Sequence, residues 1–421
     1  MVVNWNGLNL LKGLFDSLKK QTDKDFALIV LDNGSRDGSK EFIFKEASKI
    51  KSSFPVWMLN AEENHGFALA NNIAISFAFD YLEFEYIILL NNDTRPSKNF
   101  IEILHQKAEQ YFTNNFSIEN QSKLFPFLSD SRKWSIGSLV PLIENYFDKG
   151  TVDSAGILLS DDGNAINRGV GEKTADFIEE EEVFGPSGAS VMFRTKMLRD
   201  IALPPQKMGF IQKINDFSPR LWQISVDRET EKEGSLPLPI KEFFASRYFA
   251  YFEDVDLALR MRLRFWASVF IPQAKVKHHH SATGKSYSSF KSFHIHRNQY
   301  FNLVRDFPAK RLGSGFKQAF KRYFLLLKSV KSGRGPAAKL VNRNGKFNTF
   351  WLVIKGWLSV CANLFGLIKE RLFIQSGNFL SEEEFDDLLA HFKASKEEMI
   401  FETPDSLKGR RKNGVKGRGH A

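Results

Sequence analysis

In the first hundred residues, short apolar runs alternate with longer amphipathic segments, and each run leads into Asn, Asp or Gly. This is the pattern of strand and crossover helix, and its stable solution is a parallel sheet with helices packed on its faces. The spacing predicts strands over residues 2–5, 26–32, 56–60 and 86–91. Leu8, Leu11, Leu14, Phe15 and Leu18 recur at helical intervals, as do Phe67, Leu69, Ala70, Ile73, Ala74 and Phe77. In an open parallel sheet a ligand lies outside the carboxyl ends of the strands, so the polar strand exits form the expected site.

Beyond residue 111 the pattern loosens. Residues 112–133 and 204–240 read as surface insertions, the second holding five of the 14 prolines. Between them, residues 185–193 read as a turn entering a strand. A helix is expected after Glu253, an extended segment over 267–271, and a His-rich stretch over 275–284. The chain of 421 residues is long enough for two or three domains. With 43% hydrophobic and 26% charged residues, wholesale disorder and a polytopic membrane protein are excluded. One cysteine, Cys361, excludes an intramolecular disulfide framework and a Cys-rich zinc module. No apolar leader is seen at the start, so a cytoplasmic location is expected.

The net charge of +10 is unevenly placed. Residues 291–371 hold 17 Lys/Arg and two acids, Asp306 and Glu370, so the other 340 residues carry about −5. Within this segment Phe316, Phe320, Tyr323, Phe324 and Leu327 make an apolar stripe flanked by Lys317, Lys321, Arg322 and Lys328, a basic amphipathic helix. Over 350–371 the order inverts. Lys355, Ser359, Asn363, Gly366 and Glu370 form a narrow polar stripe on an apolar cylinder, whose longest uncharged run, 13 residues, is too short to span a bilayer. Two readings stand: both helices pack on the protein's own core, or they lie in an anionic membrane interface, which Trp351, Trp357 and the local charge favour. No nucleic-acid reader motif accompanies the charge, so nucleic acid is not an expected partner. Residues 401–421 are expected to be a disordered basic tail.

Three acidic stations could carry chemistry. Asp32 ends a strand and opens the glycine-rich turn DNGSRDGS, where it is either ordinary turn chemistry or an acceptor for a nucleobase N–H. Asn91-Asn92-Asp93-Thr94 closes an apolar strand with hard oxygen ligands that suit Mg²⁺ or Mn²⁺, or with a helix cap. Glu253, Asp254 and Asp256 crowd a helix start followed by Arg260, Arg262 and Arg264. They are either dipole-favoured caps or a group whose mutual repulsion raises a general base. His278, 24 residues beyond Asp254, is a candidate metal ligand. Gly284-Lys285-Ser286 is not a phosphate loop, because position 279 is His where that loop needs Gly.

In order, VNWNG at 3–7, SLKKQT ending at Thr22, DNGSRDGS at 32–39, NHGFA at 64–68, NNDT at 91–94, GAS at 188–190, EDVDLALR at 253–260, His278 with Ser281, and Arg297-Asn298 resemble the family 2 glycosyltransferases. The rhamnosyltransferase-like branch of bacterial polysaccharide assembly is the nearest-looking subgroup. The resemblance implies an α/β GT-A fold with a Rossmann-like, mostly parallel central sheet over residues 1–305. A C-terminal helical extension over 306–400 would associate with the membrane. It implies an inverting transferase that moves a sugar, L-rhamnose among the options, from a UDP- or dTDP-sugar to a hydroxyl of a glycan or lipid-linked saccharide, peripherally on the inner face of the cell membrane.

By the same resemblance Asp32 holds the base, and Asn4, Asn6, Asn64, Gly66, Phe67 and Asn92 shape the nucleotide-sugar pocket. Asp93 and His278 hold a divalent metal, Mn²⁺ or Mg²⁺. Asp254 is the catalytic base, with Glu253, Asp256, Arg260 and Gly188 supporting it or the acceptor. Two departures stand out. The metal motif has one ionisable residue, Asp93, where many relatives have two, which implies a weaker hold on the ion. Position 1 also falls inside the first strand, where relatives carry several preceding apolar residues. A polyprenyl-phosphate glycosyltransferase and an inactive sugar-nucleotide or glycan-binding protein are the alternatives. The oligomeric state is not specified.

Overall fold

The structure, a computed structural model, describes residues 1–50, 52–112, 124–130, 133–204, 220–224, 229–230, 240–279, 288–333 and 335–395. Most of the expected insertion at 204–240, part of that at 112–133, Ser281 and the expected tail at 401–421 lie outside them.

The strands are β1 Val2–Asn4, β2 Leu28–Asn33, β3 Val56–Ala61, β4 Tyr86–Asn91, β5 Thr94–Pro96, β6 Ser135–Asn145, β7 Val152–Ser154, β8 Ile157–Leu159, β9 Ala165–Asn167, β10 Glu181–Val183, β11 Ser190–Arg194, β12 Arg220–Ile224, β13 Glu229–Thr230 and β14 Trp266–His278. The α-helices are α1 Leu8–Lys19, α2 Ser39–Ile50, α3 Gly66–Tyr81, α4 Phe100–Phe112, α5 Thr195–Ile201, α6 Glu253–Leu263, α7 Ser289–Asp306, α8 Ala309–Lys331, α9 Gly335–Asn344, α10 Lys346–Ser376 and α11 Glu382–His391.

All but β8 and β9 join one sheet, whose main path runs β10-β14-β6-β11-β4-β1-β2-β3-β12-β13. β3, β2, β1 and β4 are mutually parallel, the block the alternation predicts. β11 runs antiparallel to both β4 and β6, so β6 and its parallel partner β14 share the direction of β4. The carboxyl ends of six strands therefore face one edge. The four N-terminal strands match the expected spans to within two residues, whereas the predicted segment at 267–271 is part of a 13-residue strand. β14 is long because it pairs β6 along nearly its whole length and also receives β5 and β10.

The helices cover both faces for the reason the periodicity gives. α1 buries Leu11, Leu14, Phe15 and Leu18 on one face of the sheet, and α3 buries Ala70, Ile73, Ala74 and Phe77 on the other. Burying each of the Leu, Ile and Phe side chains among them is worth about 1.5–3 kcal/mol.

The C-terminal helices are docked on this body. α10 packs on α7 through Leu352, Gly356, Val360, Leu367 and Ile374. Tyr300, Tyr323 and Trp357 join α7, α8 and α10, with the Trp357 indole N–H donating to the Tyr323 hydroxyl at 3.2 Å and the two tyrosine hydroxyls 3.0 Å apart. The C-terminal part of the polar stripe of α10, Asn363, Gly366 and Glu370, faces inward, while Lys355 is exposed. The Arg247 guanidinium donates to Asn363 Oδ1 at 2.7 Å and to Glu370 Oε1 at 2.8 Å, and the other Glu370 oxygen lies 2.8 Å from Nε of the fully buried Arg305. Phe347, Trp351, Leu358, Phe365, Ile368 and Leu372 consequently point outward, Phe365 with 85% of its surface exposed.

The expected packing on the protein's own core holds for part of these helices. Phe316, Tyr323 and Trp357 pack inward, while Phe320, Phe324 and Leu327 of α8 are exposed between Lys317, Lys321 and Lys328. By length and composition α10 as a whole is long and apolar enough to cross a membrane, a property the 13-residue uncharged run did not predict because Lys355 interrupts it.

Removing one partner of a buried ion pair leaves a charge uncompensated. Glu370→Ala is therefore expected to destabilise the fold by about 3 kcal/mol, measured by urea unfolding.

Candidate active site

The shared strand direction assembles the polar exits at one edge. β1, β2 and β4 end there at Asn4, Asp32-Asn33 and Asn91. Pairing of β5 with β14 puts Thr94 opposite His278, which brings Asp93 beside the imidazole. β11 runs the other way, so its amino end, preceded by Gly188 and Ala189, arrives at the same place; the Asn91 N–H donates to Ala189 O at 3.0 Å. The result is one cavity of about 1840 Å³, lined at this end by Asn64, Gly66, Phe67, Asn92, Asp93, Gly188, Glu253, Asp254 and His278, nine of the residues expected from sequence.

Three expected nucleotide contacts sit elsewhere. Asp32 is buried and fully engaged, accepting from the Asn4 amide at 3.1 Å and the Ser35 N–H at 2.9 Å. Asn4 in turn accepts from the Asn92 amide at 2.7 Å, and Asn6 Oδ1 accepts from the Arg36 N–H at 2.8 Å. Asn4, Asn6 and Asp32 thus lock the strand-end loops together rather than line the cavity. Asn33, which does line it, was not singled out in the sequence; its amide donates to Asn64 Oδ1 at 3.0 Å and to Gly66 O at 3.2 Å. Gly66 has φ of +77°, and a Cβ there would lie 2.5 Å from Phe249 O, so only glycine lets this turn close.

Asp256 and Arg260 also stand apart from the cavity. The Arg260 guanidinium donates to Asp256 Oδ2 at 2.8 and 3.0 Å and to the carbonyls of Ile201 and Phe243, while Arg305 contacts the other Asp256 oxygen. They support α6 from behind. Asp254 and Glu253 face the cavity instead. Asp254 Oδ2 accepts from the Gly188 N–H at 2.8 Å, and Oδ1 from the Val255 N–H at 2.9 Å. Burial pushes Asp254 above the usual carboxylate range, with those N–H donors pulling partly back. Burial and then the charge of Asp254 push Glu253 higher still, and Glu253 Oε2 has no hydrogen-bond partner among the described residues. Two adjacent carboxyls that resist joint ionisation are poised for proton transfer.

His278 lies between two acids. Its Nδ1 is 2.7 Å from Asp153 Oδ2 and its Nε2 is 3.2 Å from Asp93 Oδ1. Burial would lower the imidazole, but the hydrogen bonds and charges of Asp153 and Asp93 raise it to about 10. Asp153 gave no sequence signal, because β7 is three residues long and reaches His278 only by pairing with β6. A ring fixed at Nδ1 by a carboxylate, with Nε2 turned to a second one, suits a metal ligand. Asp93 Oδ1 is buried without a hydrogen bond of good geometry. Asp93 and His278 would supply two donors to a divalent cation, while the described residues hold no group of three or more His, Cys, Asp or Glu side chains placed to bind one.

The loop leading into α6 is strained. Phe249, Tyr251 and Phe252 have φ of 64°, 67° and 69°, a conformation that costs non-glycine residues of the order of 1 kcal/mol each. Asn298 holds it: one amide group donates to the carbonyls of Tyr248, Ala250 and Tyr251 at 3.1, 3.0 and 2.6 Å. Arg297 adds a bond to Tyr248 O at 2.8 Å, which gives the Arg297-Asn298 pair its physical role.

Residues 1–201 match the family model described as Glycosyl transferase family 2. This part of the chain is similar to that family. A 62-residue stretch, 14% of the chain, is 43% identical to the Mycobacterium tuberculosis N-acetylglucosaminyl-diphospho-decaprenol L-rhamnosyltransferase, covering 20% of that protein. A 161-residue stretch, 37% of the chain, is 25% identical to Glycosyltransferase GlyA of Streptococcus pneumoniae, covering 22% of it. The chain thus spans about a fifth of the length of these curated relatives. Among solved structures, S. aureus TarS in complex with UDP aligns over 92% of this chain and 90% of its own at 14% identity, with a TM-score of 0.40. The matched family 2 segment supplies the parallel block, Asp93 and Gly188; Asp254, His278 and Asn298 come from beyond it.

Freed of Asn298, the strained loop loses three bonds. Asn298→Ala is expected to lower the unfolding free energy by about 2 kcal/mol in urea titration. Residues 246–252 should then be among the segments with the largest gain in amide hydrogen exchange.

Proposed function

We propose that the protein is an inverting glycosyltransferase that uses a UDP- or dTDP-sugar donor and a sugar-hydroxyl acceptor. The observation that carries this reading is Asp254, a carboxylate with a raised pKa, held by the Gly188 N–H and facing the cavity that Asp93 and His278 also line. In the reaction the acceptor oxygen attacks the anomeric carbon, its proton passes to Asp254, and the bond from that carbon to the diphosphate breaks, the electron pair leaving with the nucleoside diphosphate. Asp93 and His278 would hold Mn²⁺ or Mg²⁺, whose chemistry is to offset charge on the leaving diphosphate. Asn64, Gly66, Phe67 and Asn92 shape the donor side of the cavity. The name of the M. tuberculosis relative makes L-rhamnose the first sugar to test, on an acceptor of the cell-surface polysaccharide type.

The protein works on the inner face of a membrane, peripherally. Support comes from the exposed apolar faces of α8 and α10 with lysines beside them, and from the pairing of Glu370 with Arg247 and Arg305, which keeps α10 on the protein rather than across a bilayer.

Asp254→Asn is expected to lower turnover by about 10²- to 10⁴-fold while donor binding persists. A carboxylate base acts only when ionised, so wild-type kcat/KM should fall as pH drops through a value above that of an ordinary aspartate, and the variant should lack this limb. Unchanged turnover would remove Asp254 from the role. Asp93→Ala is expected to abolish Mn²⁺-dependent donor binding in calorimetry; intact metal dependence would place the ion elsewhere.

A further inference from the structure

The cavity of about 1840 Å³ exceeds the range of about 300–1000 Å³ typical of a site for one small molecule, so a donor alone does not fill it. One of its walls is the β8–β9 hairpin, which contributes Ile157, Asn164, Ile166 and Asn167. Contacts fix where that wall begins and ends. At one end the Ile157 N–H donates to Gly185 O at 3.0 Å, and Gly185 packs against Ala258, one helical turn beyond Asp254. Asn167 pairs with Ile157 and so stands at this end. At the other end the turn rests on α7: the Asn302 amide donates to Gly163 O at 3.2 Å, and a Cβ on Gly163 would lie 2.6 Å from Gln299 O. The hairpin therefore leads from the neighbourhood of Asp254 to Gln299, with Asn164 beside the turn.

The polar groups along this wall lack partners. The side-chain amides of Asn164 and Asn167, both half-buried, make no hydrogen bond among the described residues. Gln299 lines the cavity yet is only 2% exposed, and its Nε2 is buried without a partner. Its Oε1 accepts from Arg322, which is itself paired with Asp162 at 3.2 Å, so the amide is oriented and its donor end is left unused. An unpaired buried amide costs free energy that a bound ligand recovers.

We propose that Asn164, Asn167 and Gln299 form a subsite for a second, neutral sugar of the acceptor, next to the sugar whose hydroxyl is attacked at Asp254. This deepens the glycosyltransferase reading and rests on it. Carboxamides both donate and accept, as sugar hydroxyls do. A phosphate would need a free cation, and Arg322 is already engaged by Asp162. A hydrocarbon would leave all three amides unpaired.

The test uses the full chain with Mn²⁺ and a panel of UDP- and dTDP-sugars. The acceptors are methyl glycosides of single sugars and of disaccharides that carry the same sugar at the non-reducing end. At least one disaccharide is expected to exceed its monosaccharide in kcat/KM by about tenfold or more. Asn164→Ala/Asn167→Ala removes amides that hold nothing in the fold, so its urea midpoint should match the wild type while the disaccharide advantage is lost. Gln299→Leu, on a different element, should also reduce that advantage. An advantage that survives these substitutions, or that an octyl aglycone on the monosaccharide reproduces, overturns the proposal. An enzyme that hydrolyses or transfers a donor but gains nothing from any disaccharide overturns the proposal alone. With no donor hydrolysed or transferred, the glycosyltransferase reading itself fails and takes the proposal with it.

Discussion

The arrangement depends on Arg305, a guanidinium with no exposed surface. A charge so placed is tolerable only when it is paired, and two acids from different helices pair with it: Asp256 of α6 and Glu370 of α10. Asp256 is shared with Arg260, whose remaining donors reach the carbonyls of Ile201 and Phe243, and Glu370 is shared with Arg247. The helix that presents Asp254, the helix that carries Asn298, and the long apolar helix α10 are therefore tied by one buried network. Moving any of the three would strand a charge in the interior.

That network explains why an apolar helix shows its apolar side to the outside. Part of the narrow polar stripe of α10 is needed inside, where Asn363 and Glu370 meet Arg247 and Arg305, so the broad hydrophobic remainder divides between α7 and the exterior. In a helix packed on an ordinary soluble core the polar stripe would face water. Here Asn363 and Glu370 are consumed by pairing. Residues of α8, α9 and α10 also line the cavity that Asp254 faces.

Much of the site was legible because parallel strands place their carboxyl ends together. Asn91, Asn92 and Asp93 could be expected at the edge once the alternation was read, and Asp254 followed from three acids crowding one helix start. What resisted reading depended on pairings between distant segments. Asp32 sits at a strand exit as expected, but the amide of Asn4 and the Ser35 N–H reach its carboxylate and turn it into a latch. Asp256 and Arg260 carry the same motif signal as Asp254, yet a helix turns its residues by about 100° each, so they face the interior while Asp254 faces the cavity. Asp153 had no signal, since its short strand has no periodicity to detect.

The amino-acid sequence by itself determined the parallel block, the helices on its two faces, the edge at which the polar strand exits gather and the basic character of residues 291–371. These follow from local periodicity and composition, which need no knowledge of distant neighbours. Tertiary structure alone decided that His278 stands between Asp93 and Asp153, that Asn298 restrains a loop about 48 residues earlier in the chain, and that Asn363 and Glu370 of α10 turn inward. Each of those depends on which buried charge or unpaired carbonyl meets which partner. That is a property of the closed fold, because burial makes every polar group find a partner wherever in the chain it lies.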